Sequence, residues 1–271
     1  DPSMNTYPSV EYLRPGRIVE MARDPGLALI PVSPAFEWHS YHLPLGTDAI
    51  IVEEVAARLA QRFGAAWFRV LSLGLDSVRD EAFKRSQGLD PQASVFGMCF
   101  PTVPLASEYI TIPAMRAQVE ARLQAVKGSG FRCAALVNHH GGEGQVALLQ
   151  DLAVAWTTPS FRVGFLATSA GPDFRPPPGT GASFQVGGHA GLAETLKLMA
   201  FRPDLVDVSA LPEGPLRAGE LGILHSEPVI PAAFNPRQAR AEWARAWGDH
   251  VMERLAAQVR SLLDSAPAPA P

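Results

Sequence analysis

Leu27-Ala28-Leu29-Ile30-Pro31-Val32 is an unbroken apolar run, and soon after it comes Glu37-Trp38-His39-Ser40-Tyr41-His42-Leu43-Pro44-Leu45-Gly46-Thr47-Asp48. The run reads as a buried strand. Thr47 is a good helix N-cap. Ile51, Val55, Leu59 and Phe63 then recur at helical spacing, so a helix is expected to about Phe63. Residues two apart on an extended chain face the same way, so Glu37 and His39 project together. With Asp48 they offer two carboxylates and an imidazole, a donor set suited to divalent zinc, manganese or iron.

The strand–turn–helix unit recurs. Trp67 to Leu73, Phe131 to Val137 and Ser160 to Leu166 read as further strands. Helices are expected over Arg17–Ala22, from Pro113 to about Lys127, over Gln145–Trp156, from His189 to about Phe201 and from Pro236 to about Leu263. Residues 74–113 and 169–186 are long and irregular, and 205–231 read as loop with a short strand. Phe83, Phe96, Phe100 and Tyr109 mark the first of these as packed loops that could bind a ligand. The alternation predicts an α/β fold with a mostly parallel central sheet and helices on both faces. Ligands in such folds gather at the carboxyl ends of strands. The Glu37 stretch and the turn Asn138-His139-His140-Gly141-Gly142-Glu143-Gly144 both fall there.

His140 precedes a glycine pair, which lets chain and ligand approach closely. His139 is its neighbour, and one of the two is expected to enter a site. Glu143 is read either as a general base or as a surface charge. His189 and Glu194 flank a helix start and can reach a common cleft; alternatively Glu194 only stabilises the helix N-terminus. Five of the seven histidines fall in these three stretches. One shared metal centre explains that clustering better than three separate coincidences. His225 and His250 receive no role.

The 271 residues are enough for one large domain, expected over 4–263. Apolar residues make up 47%, enough for a sizeable core, while the charged fraction of 18% is low and hints at oligomer burial. The net charge of -4, with no basic block, speaks against nucleic acid as a partner. No apolar run reaches membrane-spanning length. Cys99 and Cys133 lie far apart, as expected of a reduced, cytoplasmic protein. Asp1-Pro2-Ser3 is read as a cloning remnant before a natural start at Met4, and 264–271 as a disordered tail.

The three chemical stretches, in this order, resemble the creatininase (creatinine amidohydrolase) family. Its first motif is close to Glu-Gln-His-Gly-Pro-His-Leu-Pro-Leu-Gly-Thr-Asp, of which Glu37 to Asp48 keeps nine of twelve positions. Its second, Asn-Gly-His-Gly-Gly-Asn, is matched by Asn138 to Glu143, and its third, His-Ala-Gly-x-x-Glu-Thr, by His189 to Thr195. The resemblance implies a three-layer α/β/α sandwich, homo-oligomers that are often hexamers, and a hydrolytic centre of one or two divalent metal ions. By position, Glu37, His39, Asp48 and His140 would be ligands, with Asp48 able to bridge. Creatininase itself has a ligating Glu two residues after the equivalent of His140. Here that position is Gly142, so Glu194 is the expected further ligand. His189 would polarise the substrate or pass a proton, with Glu143 as a second proton-handling group. Trp38, Ser40, Tyr41, His139 and Glu143 depart from the motifs, so Trp38, Tyr41 and His139 are expected to form a rebuilt substrate pocket.

The implied activity is a metal-dependent hydrolase acting on a carbonyl of a small molecule, most simply a cyclic or linear amide. Relatives include deformylases, a peptidase for a modified peptide, and hydrolases that open a diketo-inositol ring. Opening a cyclic diketone or lactone is therefore the alternative within the class. A metal-binding homologue without turnover is the alternative outside it.

Overall fold

In this computed structural model, which describes residues 7–169, 171, 173–178 and 188–268, strand β1 (Leu27–Ser33) is buried along its whole length. Two short strands, β2 (Ala66–Trp67) and β3 (Leu71–Ser72), pair with one edge of it. β4 (Cys133–Asn138) pairs with the other edge, and β5 (Arg162–Ala167) pairs with β4. All these pairings are parallel.

Successive side chains of β1 alternate between two cores, as strand geometry requires. Leu27 and Leu29 enter one with Cys133 and Ala135; Ala28, Ile30 and Val32 enter the other with Ala134 and Leu136. Helices α2 (Thr47–Phe63), α6 (Leu192–Phe201) and α8 (Ala241–Ser265) cover the first face. Helices α1 (Pro15–Arg23), α4 (Ile112–Gly128) and α5 (Gln145–Trp156) cover the second. The result is a three-layer α/β/α sandwich around a parallel sheet. Apolar residues on both faces explain why β1 and β4 read as continuous hydrophobic runs.

Several boundaries differ from the sequence reading. The expected second strand is broken, because the amide of Arg69 donates to Glu11 at 3.1 Å and that of Val70 to Glu53 at 2.9 Å. Those two groups leave the ladder for carboxylates. Thr47 is the first residue of α2 and Gly46 is its cap. The Thr47 hydroxyl instead donates to the Pro44 carbonyl at 2.7 Å and closes the turn before the helix. The irregular 74–113 segment contains the short helix α3 (Glu81–Ser86). Within 205–231 lies α7 (Ala218–Leu221), and the expected short strand is reduced to an isolated bridge between Arg217 and Val229.

The last helix is shorter at its start. Pro236–Gln238 forms a separate single turn, and α8 begins at Ala241 and runs through Ser265. Asp264 and Ser265 are therefore helical, not tail. The proposed start at Met4, the remnant before it, Pro269 to Pro271 and much of the 169–186 loop lie outside the described residues.

Candidate metal centre

Four elements deliver the chemistry to the carboxyl edge of the sheet. The chain leaving β1 carries Glu37 and His39, and the first turn of α2 carries Asp48. The chain leaving β4 carries His139 and His140, the approach to α6 carries His189, and the first turn of α6 carries Glu194. Glu37, His39, Asp48, His140 and Glu194 are all buried. Asp48 sits in the middle: its Oδ2 is 3.0 Å from His140 Nδ1, and its Oδ1 is 3.5 Å from His39 Nε2. Glu37 Oε2 lies 3.4 Å from His140 Nδ1 and 3.7 Å from His39 Nε2. Glu194 Oε2 lies 3.7 Å from His39 Nε2.

Each imidazole is held by one nitrogen and aimed by the other. His39 Nδ1 is 3.0 Å from the Glu37 carbonyl, His140 Nε2 is 2.9 Å from the Leu75 carbonyl, and His189 Nε2 bonds the Trp38 carbonyl. A carbonyl can only accept, so each of these nitrogens carries the hydrogen. The opposite nitrogen of each ring faces the carboxylates: protonated it donates to them, as His140 Nδ1 does to Asp48, and deprotonated its lone pair would be available to a metal ion, the arrangement by which proteins orient metal-binding histidines.

Buried polar atoms are normally bonded. Yet Glu37 Oε2, His39 Nε2 and Asp48 Oδ1 have no hydrogen-bond partner. All three point into the same small space. Two overlapping donor sets can be drawn there, Glu37 with Asp48 and His140, and His39 with Asp48 and Glu194; His189 can join Glu37 and His39 in a third. Atoms of each set lie within 4.8 Å of one another.

Electrostatics point the same way. Burial by itself would favour neutral His39, but Glu194, Asp48 and Glu37 outweigh it and raise its pKa to about 9. Burial would likewise raise Glu194, but the histidines, His39 first, hold it down at about 2. Three buried carboxylates brought together demand positive charge. Without a cation a proton on an imidazole supplies it; the N/O donor set fits a divalent ion in that place.

Residues beyond the sequence reading complete the setting. The Tyr109 hydroxyl donates to Glu37 Oε1 at 2.5 Å. The Gln145 amide donates to Asn138 Oδ1 at 2.8 Å while its own oxygen accepts from the Leu75 amide at 2.9 Å, fixing the segment that anchors His140. A Cβ at Gly142 would lie 2.0 Å from the Leu75 carbonyl and 2.1 Å from His140 Nε2, so the second glycine of the pair is sterically required. A cavity of about 370 Å³ opens beside the cluster, walled by Asp76, Arg79, Met98, His139, Lys197 and Leu224. Asn138 and Gln145 could have been suspected from their place beside β4. Tyr109 was marked only as a packing aromatic of the 74–113 loops, and Asp76, Arg79 and Lys197 carried no local signal.

Four expectations need correction. His139 and His140 both turn inward: His139 Nε2 is 3.6 Å from Glu194 Oε1. Past the end of β4 the alternation of the strand no longer applies, and Thr168, following β5, holds His139 Nδ1. Glu143 is exposed and takes the Ser77 hydroxyl, away from the cluster. Trp38 is buried with its indole nitrogen on the Leu221 carbonyl at 2.7 Å, and is not a cavity wall. Tyr41 is 52% exposed and packs edge-on against Trp38, likewise outside the cavity. His42, unassigned from sequence, bonds Thr195 at 2.9 Å.

The sequence model of the family described as Creatininase: Creatinine amidohydrolase matches residues 12–259. Among solved structures, a creatinine amidohydrolase (creatininase) superposes with a TM-score of 0.65 at 19% identity, covering 95% of this chain and 98% of the other. A Bacteroides fragilis protein provisionally described as a creatinine amidohydrolase gives 0.63 at 20% identity, covering 96% and 98%. A zinc–zinc form of a mutant creatininase also gives 0.63, at 19% identity and with 93% and 96% covered. No curated protein sequence matches.

Proposed function

The chain belongs to the creatininase family, and on that premise we propose that it is a metal-dependent hydrolase acting on the carbonyl of a small molecule, most simply an amide. Glu37, Asp48 and His140 would hold one divalent ion, and His39, Asp48 and Glu194 a second, with Asp48 shared. Zinc and manganese are the first choices, since both suit the donors and related structures carry those names; iron would suit the same set. When bound, such ions supply Lewis acidity to a carbonyl and to water.

The chain's own residues do the rest. The Tyr109 hydroxyl on Oε1 turns the other oxygen of Glu37 inward. His189 lines the cavity with Nδ1 facing Glu37 and Glu194, at 4.0 and 3.9 Å. Its Nε2 hydrogen is committed to Trp38, so Nδ1 is the atom free to take a proton and return it to a leaving group. The cavity, at about 370 Å³, admits a small molecule and not a folded partner.

The observation that carries this reading is the meeting of three partnerless buried atoms, Glu37 Oε2, His39 Nε2 and Asp48 Oδ1. The test joins metal analysis of the purified protein with a hydrolysis panel of linear and cyclic amides, lactones and cyclic diketones. Bound zinc or manganese, turnover of an amide, and loss of both in Asp48→Ala and His140→Ala are expected. Full turnover by chelator-treated protein would refute the reading. Turnover confined to the diketones would move the cleaved bond from C–N to C–C.

A further inference from the structure

We infer that His139 is a metal ligand, an imidazole added by this chain to the ion held by His39, Asp48 and Glu194. The inference rests on the metal-centre reading above and concerns one residue of it.

His139 faces two of the carboxylates that His39 faces, meeting Glu194 through its other oxygen. His39 Nε2 lies 3.5 Å from Asp48 Oδ1 and 3.7 Å from Glu194 Oε2. His139 Nε2 lies 3.9 Å from Asp48 Oδ1 and 3.6 Å from Glu194 Oε1. Its side chain is only 3% exposed. The ring is held by the opposite nitrogen, here Nδ1 on the Thr168 hydroxyl, which unlike a carbonyl can either donate or accept. A buried imidazole nitrogen facing two carboxylates must meet either a proton or a cation. His39 and His140 turn a nitrogen toward these carboxylates as ligands, and His139 turns its Nε2 toward two of the same carboxylates.

A second observation explains why the added ligand comes from this position. The backbone at Gly142 has no room for a Cβ, which would collide with Leu75 and His140. A donor therefore cannot be supplied two residues after His140. The residue immediately before it is a histidine whose Nε2 faces the cluster. His139 then serves the ion while also walling the cavity beside it.

The test uses zinc as the probe and metal as the readout. Zinc-loaded wild-type protein is crystallised and the ions are located by their anomalous signal. A distance of about 2.0–2.1 Å from His139 Nε2 to an ion is expected; a separation beyond about 3 Å, outside any coordination bond, overturns the inference. In parallel, zinc content and chelator competition are compared for wild type, His139→Gly and His139→Asn. The zinc held by His39, Asp48 and Glu194 should lose at least about tenfold in affinity in either variant, the other zinc being unchanged. If wild type and variants bind zinc equally, His139 is not a ligand and the centre stands without it. If the wild type binds none, the metal reading itself has failed.

Discussion

The Tyr109 hydroxyl bonds Glu37 Oε1 at 2.5 Å across 72 residues of chain. Burial, and then the charge of Glu37, push the Tyr109 pKa up, so the phenol stays a donor at every working pH. Tyr109→Phe keeps the ring against Phe96, 5.6 Å away between centroids, and removes the orienting hydrogen bond together with the one the hydroxyl accepts from the Met98 amide at 3.0 Å. Zinc or manganese affinity should fall by about 10–100-fold, with a modest fall in melting temperature from the unpaired Met98 amide. Unchanged affinity in a chelator titration would show that Glu37 needs no such restraint.

Gly142→Ala should damage the centre through His140. Its Cβ would sit 2.1 Å from His140 Nε2, displacing the ring from the Leu75 carbonyl. Overpacking of this kind costs about 1–3 kcal/mol, and metal content should drop with it. Gly141 is the internal control, because nothing lies within 4 Å of a Cβ built there. Metal analysis and thermal melts of both alanine variants check the contrast; equal behaviour would contradict it.

Ser40 lies in the left-handed region at φ 63°, and its buried hydroxyl has no partner. The resembling motif has glycine at this place. Left-handed backbone costs a non-glycine residue about 1–2 kcal/mol, offset in part by the greater unfolded-state freedom of glycine. Ser40→Gly should stabilise the protein by about 1 kcal/mol, or about 2 °C in Tm. A lower Tm would mean that the serine makes a compensating contact.

His42 should make stability fall with acid. Thr195 donates its hydroxyl hydrogen to the Gly191 carbonyl, so it accepts from His42 Nε2 and fixes the neutral ring. Burial, against the opposing charge of Glu194, lowers the His42 pKa from 6.5 to about 4. Between those values the unfolded chain binds a proton that the native chain refuses. The contribution is therefore complete above pH 6.5 and is lost progressively towards pH 4, a change of about 3 kcal/mol. Urea unfolding of wild type and His42→Gln across this range should show their difference shrinking as pH falls. A difference independent of pH would place the His42 pKa near its ordinary value.

The layers were legible because burial on both faces leaves a signature in composition. The apolar runs through Leu29 and Leu136 read correctly as strands, and the face of α2 carrying Ile51, Val55 and Leu59 read correctly as buried. The split between β2 and β3 was not legible, since it depends on Glu11 and Glu53 capturing two amides from elsewhere in the chain. Glu143 and Tyr41 sit inside motif-like stretches yet face solvent. Short-range sequence says which residues are near one another along the chain, not which way a loop turns them.

By itself the sequence determined the order of strands and helices and the donor types at the strand ends, because side-chain period and residue chemistry are local properties. Only the tertiary structure decided that His139 and His140 face the same carboxylates, that Trp38 turns its ring away, and that Tyr109 restrains Glu37. Those outcomes depend on Thr168, Leu75 and Leu221, which are distant in sequence and become neighbours only when the sheet and its loops close around the charges they enclose.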